Sequence, residues 1–263
     1  MRRMGGDQGL KIGGMRTRGW VIAATIVAGG ALSVGSTAQP AGARVTPDRP
    51  VPSTPVVVEL FTAQGCASCV EANAAVEAAA SEPGVIALTY GVDYWDYLGW
   101  SDTFARPEFT ERQRAYRSAL QLRNVSTPQV VIGGHRQVSG ARAPELEAVI
   151  SEEAARRVYP PQIEFRETGK AVGVGSGRAP AGGAEVLAVT YVPGSQVVDV
   201  AGGDNRGRSV RHMNVVRDIV RLGDWTGSPR LYDLPPALQE GEAVVVLVQD
   251  KRDRRIIGAA TKD

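Results

Sequence analysis

The stretch of sequence that decides the fold spans residues 56–80 and reads VVVELFTAQGCASCVEANAAVEAAA. Its first part, residues 56–61, is an apolar run interrupted only by Glu59, which predicts a buried strand. Its last part is rich in alanine and predicts a helix that begins at about Cys66. Cys66 and Cys69 lie between the two, and they are the only cysteines of the chain. The sequence therefore predicts a strand, a turn with a CxxC pair, and a helix.

A CxxC pair at the start of a helix is suited to thiol–disulfide exchange. A thiolate, rather than a thiol, attacks a disulfide, and the unpaired N–H groups at a helix N-terminus favour negative charge. We therefore expect Cys66 to be the nucleophile. Cys69, one turn further along and less exposed, is expected to resolve the mixed disulfide. A closed zinc site of four cysteines, or of three and a histidine, is excluded because there is no third cysteine.

Two other uses of the same pair remain open. The reduced cysteines could bind Cu(I), as in a metallochaperone, because soft thiolate ligands select that ion. A permanent disulfide could instead brace a non-catalytic binding module. Only His135 and His212 could add an imidazole ligand. We place His135 at the far end of a strand and His212 in the C-terminal part, so no metal and no cofactor beyond a redox-active disulfide is expected.

The N-terminal residues 1–43 have the pattern of a secretory signal peptide. Basic residues precede an apolar stretch, residues 20–32, which is shorter than the ~20 residues that span a bilayer. Ala41 and Ala43 form an A-x-A cleavage site. We expect a periplasmic or secreted protein without membrane attachment after cleavage. Residues 44–55 would then form a mobile, proline-rich mature N-terminus. The alternative is that residues 1–43 remain as an uncleaved membrane anchor.

Charge and compartment define the expected partners. The net charge of +2 at pH 7 favours neither nucleic acid nor strongly acidic substrates. An oxidising compartment would keep an idle cysteine pair as a disulfide. We expect protein thiols or disulfides as substrates, with an electron donor or acceptor that the sequence does not identify.

Residues 56–159 predict an α/β domain of order β–α–β–α–β–β–α. After the first strand and helix, the expected elements are a strand at 85–90, a helix at 108–122, strands at 129–132 and 136–139, and a helix at 143–157.

That order, with CxxC after the first strand, resembles the thioredoxin fold. Thr127-Pro128 falls just before the third strand, where thioredoxin-like proteins carry a cis-proline. The resemblance implies that Pro128 is cis and faces the cysteine pair, which leaves backbone groups of Thr127 free for a partner peptide. An ordinary trans proline at a strand start is the alternative.

Further motifs make the resemblance more specific. These are VELFT at 58–62, GCASC at 65–69, VDYWDYLGW at 92–100, TPQV at 127–130, NRGR at 205–208 and VVR at 215–217. Together they resemble a family of secreted bacterial thioredoxin-like proteins of unknown function (domain of unknown function 1223). Gly65 precedes Cys66 where thioredoxins carry Trp, and Ala67-Ser68 replaces their Gly-Pro. The direction of electron transfer is therefore not implied.

Two features near the motif have alternative interpretations. Thioredoxin-like enzymes often hold a buried carboxylate below the cysteines, so the resemblance implies that Glu59 could accept the proton of the resolving thiol. Alternatively, Glu59 is exposed near the strand end or paired with an arginine. The aromatic loop, residues 93–100, could border the redox site through Asp93 and Trp95, or its rings could cover the core.

The C-terminal residues 160–263 predict an antiparallel, β-sandwich-like domain or a β-rich cap on the first domain. Short β-type runs alternate with Gly- and Pro-containing turns after Pro160-Pro161. The polar residues 204–208 predict a loop that contacts a partner or the first domain. We expect this part to influence partner choice without supplying catalytic groups.

Overall fold

The computed structural model describes residues 54–156, 158–235 and 239–262. The predicted signal peptide, residues 1–43, lies outside the described residues, as does the predicted mature N-terminus up to residue 53. No helix in the described ranges is long and apolar enough to cross a membrane.

The first half of the described chain has the predicted α/β order. Its elements are β1 (Val56–Thr62), α1 (Cys69–Ala80), β2 (Val85–Gly91), α2 (Pro107–Ala119), β3 (Gln129–Ile132), β4 (Arg136–Val138) and α3 (Ala143–Ala154). Strand β1 pairs in parallel with β2 and antiparallel with β3, and β3 pairs with β4. The predicted α/β class and element order are confirmed.

Both faces of β1 are buried, which explains its nearly continuous apolar sequence. Val58 and Leu60 belong to a core cluster with α1 and α3, whereas Val57 and Phe61 belong to a second cluster with α2. This alternation follows from the two-residue period of a strand. Glu59 shares the parity of Val57 and Phe61, and so points towards the α2 side.

The second half of the chain is rich in β-strands, as predicted. Its strands are β5 (Ile163–Phe165), β6 (Ala171–Val174), β7 (Ala184–Val200), β8 (Arg208–Trp225), β9 (Arg230–Asp233), β10 (Ala243–Asp250) and β11 (Ile256–Lys262). Strands β7 and β8 form a long hairpin with several register shifts. Strand β7 continues across Pro193 and Gly194, because a register shift between Val192 and Ser195 preserves its pairing with β8.

Four C-terminal strands extend the sheet of the first half. The strand order is β11-β10-β7-β8-β2-β1-β3-β4, and β8 joins β2 through the parallel pair Thr89 and Val215. Strands β5, β6 and β9 form a second sheet, which packs with the first around Trp225. The sandwich-like packing is therefore present locally, whereas a domain boundary near residue 160 stays a prediction.

Candidate functional site

The two cysteines form a disulfide at the N-terminus of α1. Cys66 and Cys69 are joined with their Cα atoms 5.4 Å apart. Ser68 is the N-cap residue, and the helix begins at Cys69, three residues later than predicted. The Cys69 N–H donates to the Cys66 carbonyl at 3.2 Å, so Cys66 lies in the turn that leads into the helix. We call residues 63–69 the CxxC turn.

Both cysteines are buried. Each is 0% exposed, whereas Ala67 and Ser68 between them are exposed. The expectation that Cys66 is the more exposed cysteine therefore does not hold for the disulfide form. Because a partner must reach a sulfur atom along the S–S axis, exchange with a protein requires movement of the turn or of its neighbours.

A hydroxyl group lies next to the Cys66 sulfur. Ser68 Oγ is 3.4 Å from Cys66 Sγ, and Ser68 makes no side-chain capping bond to the helix. A disulfide sulfur carries no hydrogen, so the hydroxyl is the donor. The same hydroxyl can donate to a thiolate when the disulfide opens.

The peptide bond between Thr127 and Pro128 is cis, as predicted. Gln129 pairs with Phe61, so the antiparallel register places the start of β3 beside the end of β1. That end of β1 leads into the CxxC turn. The Thr127 hydroxyl is hydrogen-bonded to the Tyr94 hydroxyl, which links the aromatic loop to this segment.

Tyr94 also donates to the side chain of Gln113 on α2, at 3.1 Å. Burial raises the pKa of the Tyr94 phenol, although its hydrogen bonds to Thr127 and Gln113 oppose the shift. Tyr94 is therefore a neutral donor at physiological pH, and its position is fixed by two different elements.

Gln64 connects the CxxC turn to the loop that follows β2. Its backbone N–H donates to Asp102 Oδ2 at 2.6 Å, and its side-chain amide donates to Thr103 Oγ1 at 2.8 Å. Trp100 Nε1 donates to Gln64 Oε1 at 2.9 Å. The aromatic loop thus borders the turn through Trp100, whereas Asp93 accepts a bond from Thr110 on α2.

Asp102 is a buried carboxylate that is hydrogen-bonded to the CxxC turn through Gln64. It accepts from the backbone N–H groups of Gln64 and Phe104, at 2.6 and 2.8 Å. Burial raises the pKa of Asp102, and these two hydrogen bonds only partly oppose the shift. A carboxyl group with a raised pKa is therefore hydrogen-bonded to the backbone of the CxxC turn.

The β7–β8 hairpin contributes to the same turn. Between these strands lies a short 3-10 helix, Gly203–Asn205, which we call the tip turn. The Asn205 amide donates to the carbonyls of Gln64 and Cys66, both at 2.8 Å. Asp204 N–H donates to the Gly65 carbonyl at 2.9 Å. The loop predicted at residues 204–208 contacts the first half of the chain.

Glu59 is paired with an arginine, one of the alternatives considered above. Arg112 Nε donates to Glu59 Oε1 at 2.8 Å and Arg112 Nη2 donates to Glu59 Oε2 at 3.1 Å. Tyr116 also donates to Glu59 Oε2. Both carboxylate oxygens are therefore occupied, and a role for Glu59 as a proton acceptor stays a prediction.

The two histidines lie in different environments. His135 contacts Glu153 and Arg156 beyond the far end of β3, as expected. His212 lies on β8, buried against the ring of Phe104 with 5.4 Å between centroids. Burial lowers the pKa of His212 to about 4. Among the described residues, no group of three or more His, Cys, Asp or Glu side chains could hold a metal ion.

Sequence reasoning did not identify Gln64, Asp102 or Asn205 individually. Gln64 is polar within an otherwise apolar and small-residue segment, which was an available signal. Asp102 lies in the loop after β2 and Asn205 lies in the tip turn, and the sheet topology brings both to the CxxC turn. Thr127, Pro128 and the cysteines were identified from their positions relative to the strands.

Comparisons with known proteins agree with this architecture. A crystal structure of protein AGR_C_4864 from Agrobacterium tumefaciens is 32% identical to this chain, with a TM-score of 0.63. The match covers 78% of this chain and 92% of the Agrobacterium protein. No curated protein matches the chain significantly. The family model described as "Protein of unknown function (DUF1223)" matches residues 57–249, and the chain belongs to that family.

Proposed function

We propose that this protein is a thiol–disulfide oxidoreductase of the thioredoxin superfamily that acts on protein thiols or disulfides through Cys66 and Cys69. The observation that carries the proposal is the disulfide between these residues at the N-terminus of α1, directly after β1. Backbone N–H groups without helical partners occur at that position, and they stabilise a thiolate released there.

In the oxidising direction, two partner thiols lose two electrons to the disulfide. A partner thiolate attacks Cys66 Sγ, a partner–Cys66 bond forms, and the S–S bond breaks with Cys69 leaving as a thiolate that takes up a proton. A second partner thiolate then attacks the partner sulfur of the mixed disulfide. The partner leaves as a disulfide and Cys66 leaves as a thiolate; the reducing direction reverses each step.

The arrangement around the disulfide supports a protein partner. Thr127-Pro128, Trp100 and the tip turn meet the same edge of the sheet as the CxxC turn. These segments are loops supported by a rigid sheet, which is the usual location of binding residues. A small-molecule disulfide would not need contacts spread over three loops.

A structural disulfide is the competing function, and the complete burial of both sulfurs favours it. Cu(I) binding is a third candidate, and it requires the reduced pair because disulfide sulfurs offer no thiolate. The three functions differ in the reduction potential of the pair and in the metal affinity of the reduced protein.

Equilibration of the protein with glutathione or dithiothreitol redox buffers separates exchange from structure. We expect a potential above about −300 mV, because structural disulfides in exported proteins commonly lie below that value. A potential below it, with no exchange with a reduced protein substrate, would contradict the proposal. Titration of the reduced protein with Cu(I) against a competing chelator tests the metal alternative.

Trapping identifies the partner. Cys69→Ser removes the resolving thiol, so we expect mixed disulfides to accumulate on Cys66 in cells, whereas Cys66→Ser should form none through Cys69. If Cys69 is the residue that captures partners, the assignment of roles is reversed.

We also propose that the protein is exported to the periplasm or secreted after cleavage at residue 43. The support is the sequence pattern of residues 1–43. Mass spectrometry of the mature protein, expressed from its full chain, should give Arg44 as the first residue. A chain that retains residues 20–32 and remains in the membrane fraction would contradict cleavage.

A further inference from the structure

The tip turn holds three consecutive carbonyl groups of the CxxC turn. The carbonyls of Gln64 and Cys66 accept from Asn205 Nδ2 and the carbonyl of Gly65 accepts from Asp204 N–H, over distances of 2.8–2.9 Å. These donors come from about 140 residues further along the chain. Such a continuous set of bonds fixes the orientation of each peptide plane from Gln64 to Cys66, because a peptide unit is rigid.

The orientation of the Asn205 amide is determined by its partners. Two carbonyl oxygens face its nitrogen, so the –NH2 group must be on that side. Its Oδ1 atom is left buried without a hydrogen-bond partner among the described residues.

The backbone is shaped for this contact. Gly203 has φ +64°, and a Cβ atom there would lie 2.9 Å from Gly65 Cα and 3.0 Å from the Gly65 carbonyl oxygen. Gly207, close by in the same hairpin connection, has φ +77° but open space around it. Both positions favour glycine through φ, and only Gly203 requires it for close approach to the CxxC turn.

The contact bears on the thiolate that forms at Cys66. The Cys66 carbonyl accepts from both Asn205 and the Cys69 N–H, which is the first hydrogen bond leading into α1. While the disulfide is closed, the S–S bond also restrains this turn. After it opens, the hydrogen bonds from the tip turn to these three carbonyls remain, and they continue to restrain the backbone of the CxxC turn.

We propose that Asn205 is a positioning residue for Cys66, and that the tip turn keeps the opened CxxC turn in the geometry that stabilises the Cys66 thiolate. The importance of this role for disulfide exchange rests on the proposed function. Asn205 acts through the backbone of the turn and does not touch the partner.

The test measures the ionisation of Cys66 directly. In a Cys69→Ser background Cys66 is the only cysteine. The rate of alkylation by iodoacetamide, measured against pH, then gives the midpoint, which is the pH at which half of the Cys66 thiol is ionised. The plateau rate reports access to the sulfur, whereas the midpoint reports thiolate stability. Asn205→Ala should raise the midpoint by about 1 pH unit, a tenfold loss of thiolate below the midpoint.

Asn205→Asp separates hydrogen bonding from shape. The carboxylate has nearly the same shape but directs an oxygen towards two carbonyls, so we expect a larger upward shift than for Asn205→Ala. A role in filling space alone predicts that Asn205→Asp has a midpoint closer to that of the parent than Asn205→Ala has. Unchanged midpoints in both variants, with native circular dichroism, overturn the proposal.

A glycine pair provides the matched control and covers the case in which the Asn205 variants do not fold. Gly203→Ala should raise the midpoint because it displaces the tip turn from Gly65, whereas Gly207→Ala should leave it unchanged. Equal midpoints for the two glycine variants overturn the proposal. Failure of the parent protein to exchange with protein partners contradicts the proposed function and leaves these midpoint comparisons valid.

Discussion

Replacing Arg112 with leucine should leave the Glu59 carboxylate buried without its counter-charge. The two side chains are 7% and 0% exposed, and they are joined by two hydrogen bonds of 2.8 and 3.1 Å. Arg112 also donates to Gln249 on β10 at 3.1 Å and to Tyr116 at 2.9 Å. One guanidinium group therefore connects α2 to strands from both halves of the chain.

The expected cost follows from this burial. Removal of one partner of a buried ion pair costs about 3–5 kcal/mol, because the remaining charge cannot be hydrated. For a domain of this size, each kcal/mol corresponds to a fall in Tm of about 2–4 °C. We expect Arg112→Leu, and separately Glu59→Leu, to lower Tm by roughly 6–20 °C.

The double variant distinguishes an ion pair from general core packing. With both charges removed, apolar side chains of similar size can replace the pair with little change in the free energy of unfolding. The remaining loss of stability comes from the hydrogen bonds that Gln249 and Tyr116 make to the pair. We expect the double variant to be more stable than either single variant. Urea unfolding of the oxidised proteins, followed by tryptophan fluorescence, gives the four free energies of the cycle.

Arg114→Leu is the matched control on the same helix. Its pair with Glu111 is exposed, at 55% and 68%, and such pairs contribute about 0–1 kcal/mol. If Arg112→Leu costs no more than Arg114→Leu, or if the two single-variant losses simply add in the double variant, the buried pair is not the source of stability.

Three further predictions concern ionisation near the site. The pKa of His212 is about 4 in the folded protein and about 6.5 in the unfolded chain, so the unfolded chain binds a proton first as the pH falls. The free energy of unfolding should therefore fall by roughly 3 kcal/mol between pH 6.5 and pH 4. Urea unfolding over this pH range should show that His212→Phe, which keeps a ring against Phe104, removes this loss. Ser68→Ala should raise the alkylation midpoint of Cys66 by about 1 pH unit or less, because one hydroxyl donor to the thiolate is lost; an unchanged midpoint would show that the hydroxyl does not bind the thiolate. Glu59→Gln should leave the exchange rate within about threefold of wild type if Glu59 is structural, and a loss of tenfold or more in the folded variant would support proton transfer.

The strands next to the site could be predicted because their signals are local. Gln129–Ile132 has the bounds expected from its apolar run, and the cis bond at Pro128 matches its expected place before that strand. The start of α1 was predicted three residues too early. Cys66 has the right neighbours in sequence, but its carbonyl is already shared between Cys69 and Asn205, and a contact over 139 residues leaves no local signal.

The C-terminal topology could not be predicted for a related physical reason. Periodicity identifies which residues form a strand. Which neighbouring strand it pairs with depends on the whole sheet, because the favoured pairing leaves the fewest backbone N–H and C=O groups without a partner. Strand β2 would be an edge without β8, and the pairing between Thr89 and Val215 connects the two halves there. This connection places the hairpin close enough for its tip turn to reach the CxxC turn.

The two halves of the chain therefore share both a core and a site. Leu187, Val189 and Leu247 from the C-terminal strands pack in the same cluster as Cys66 and Cys69. A chain that ended near residue 159 would expose that cluster and the edge of β2, and it would free three carbonyls of the CxxC turn. The hairpin pairs with β2, and its tip turn binds the backbone that carries Cys66. The expectation that the C-terminal part influences partner choice without supplying catalytic groups stays a prediction, and these contacts add a supporting role for the backbone of the CxxC turn.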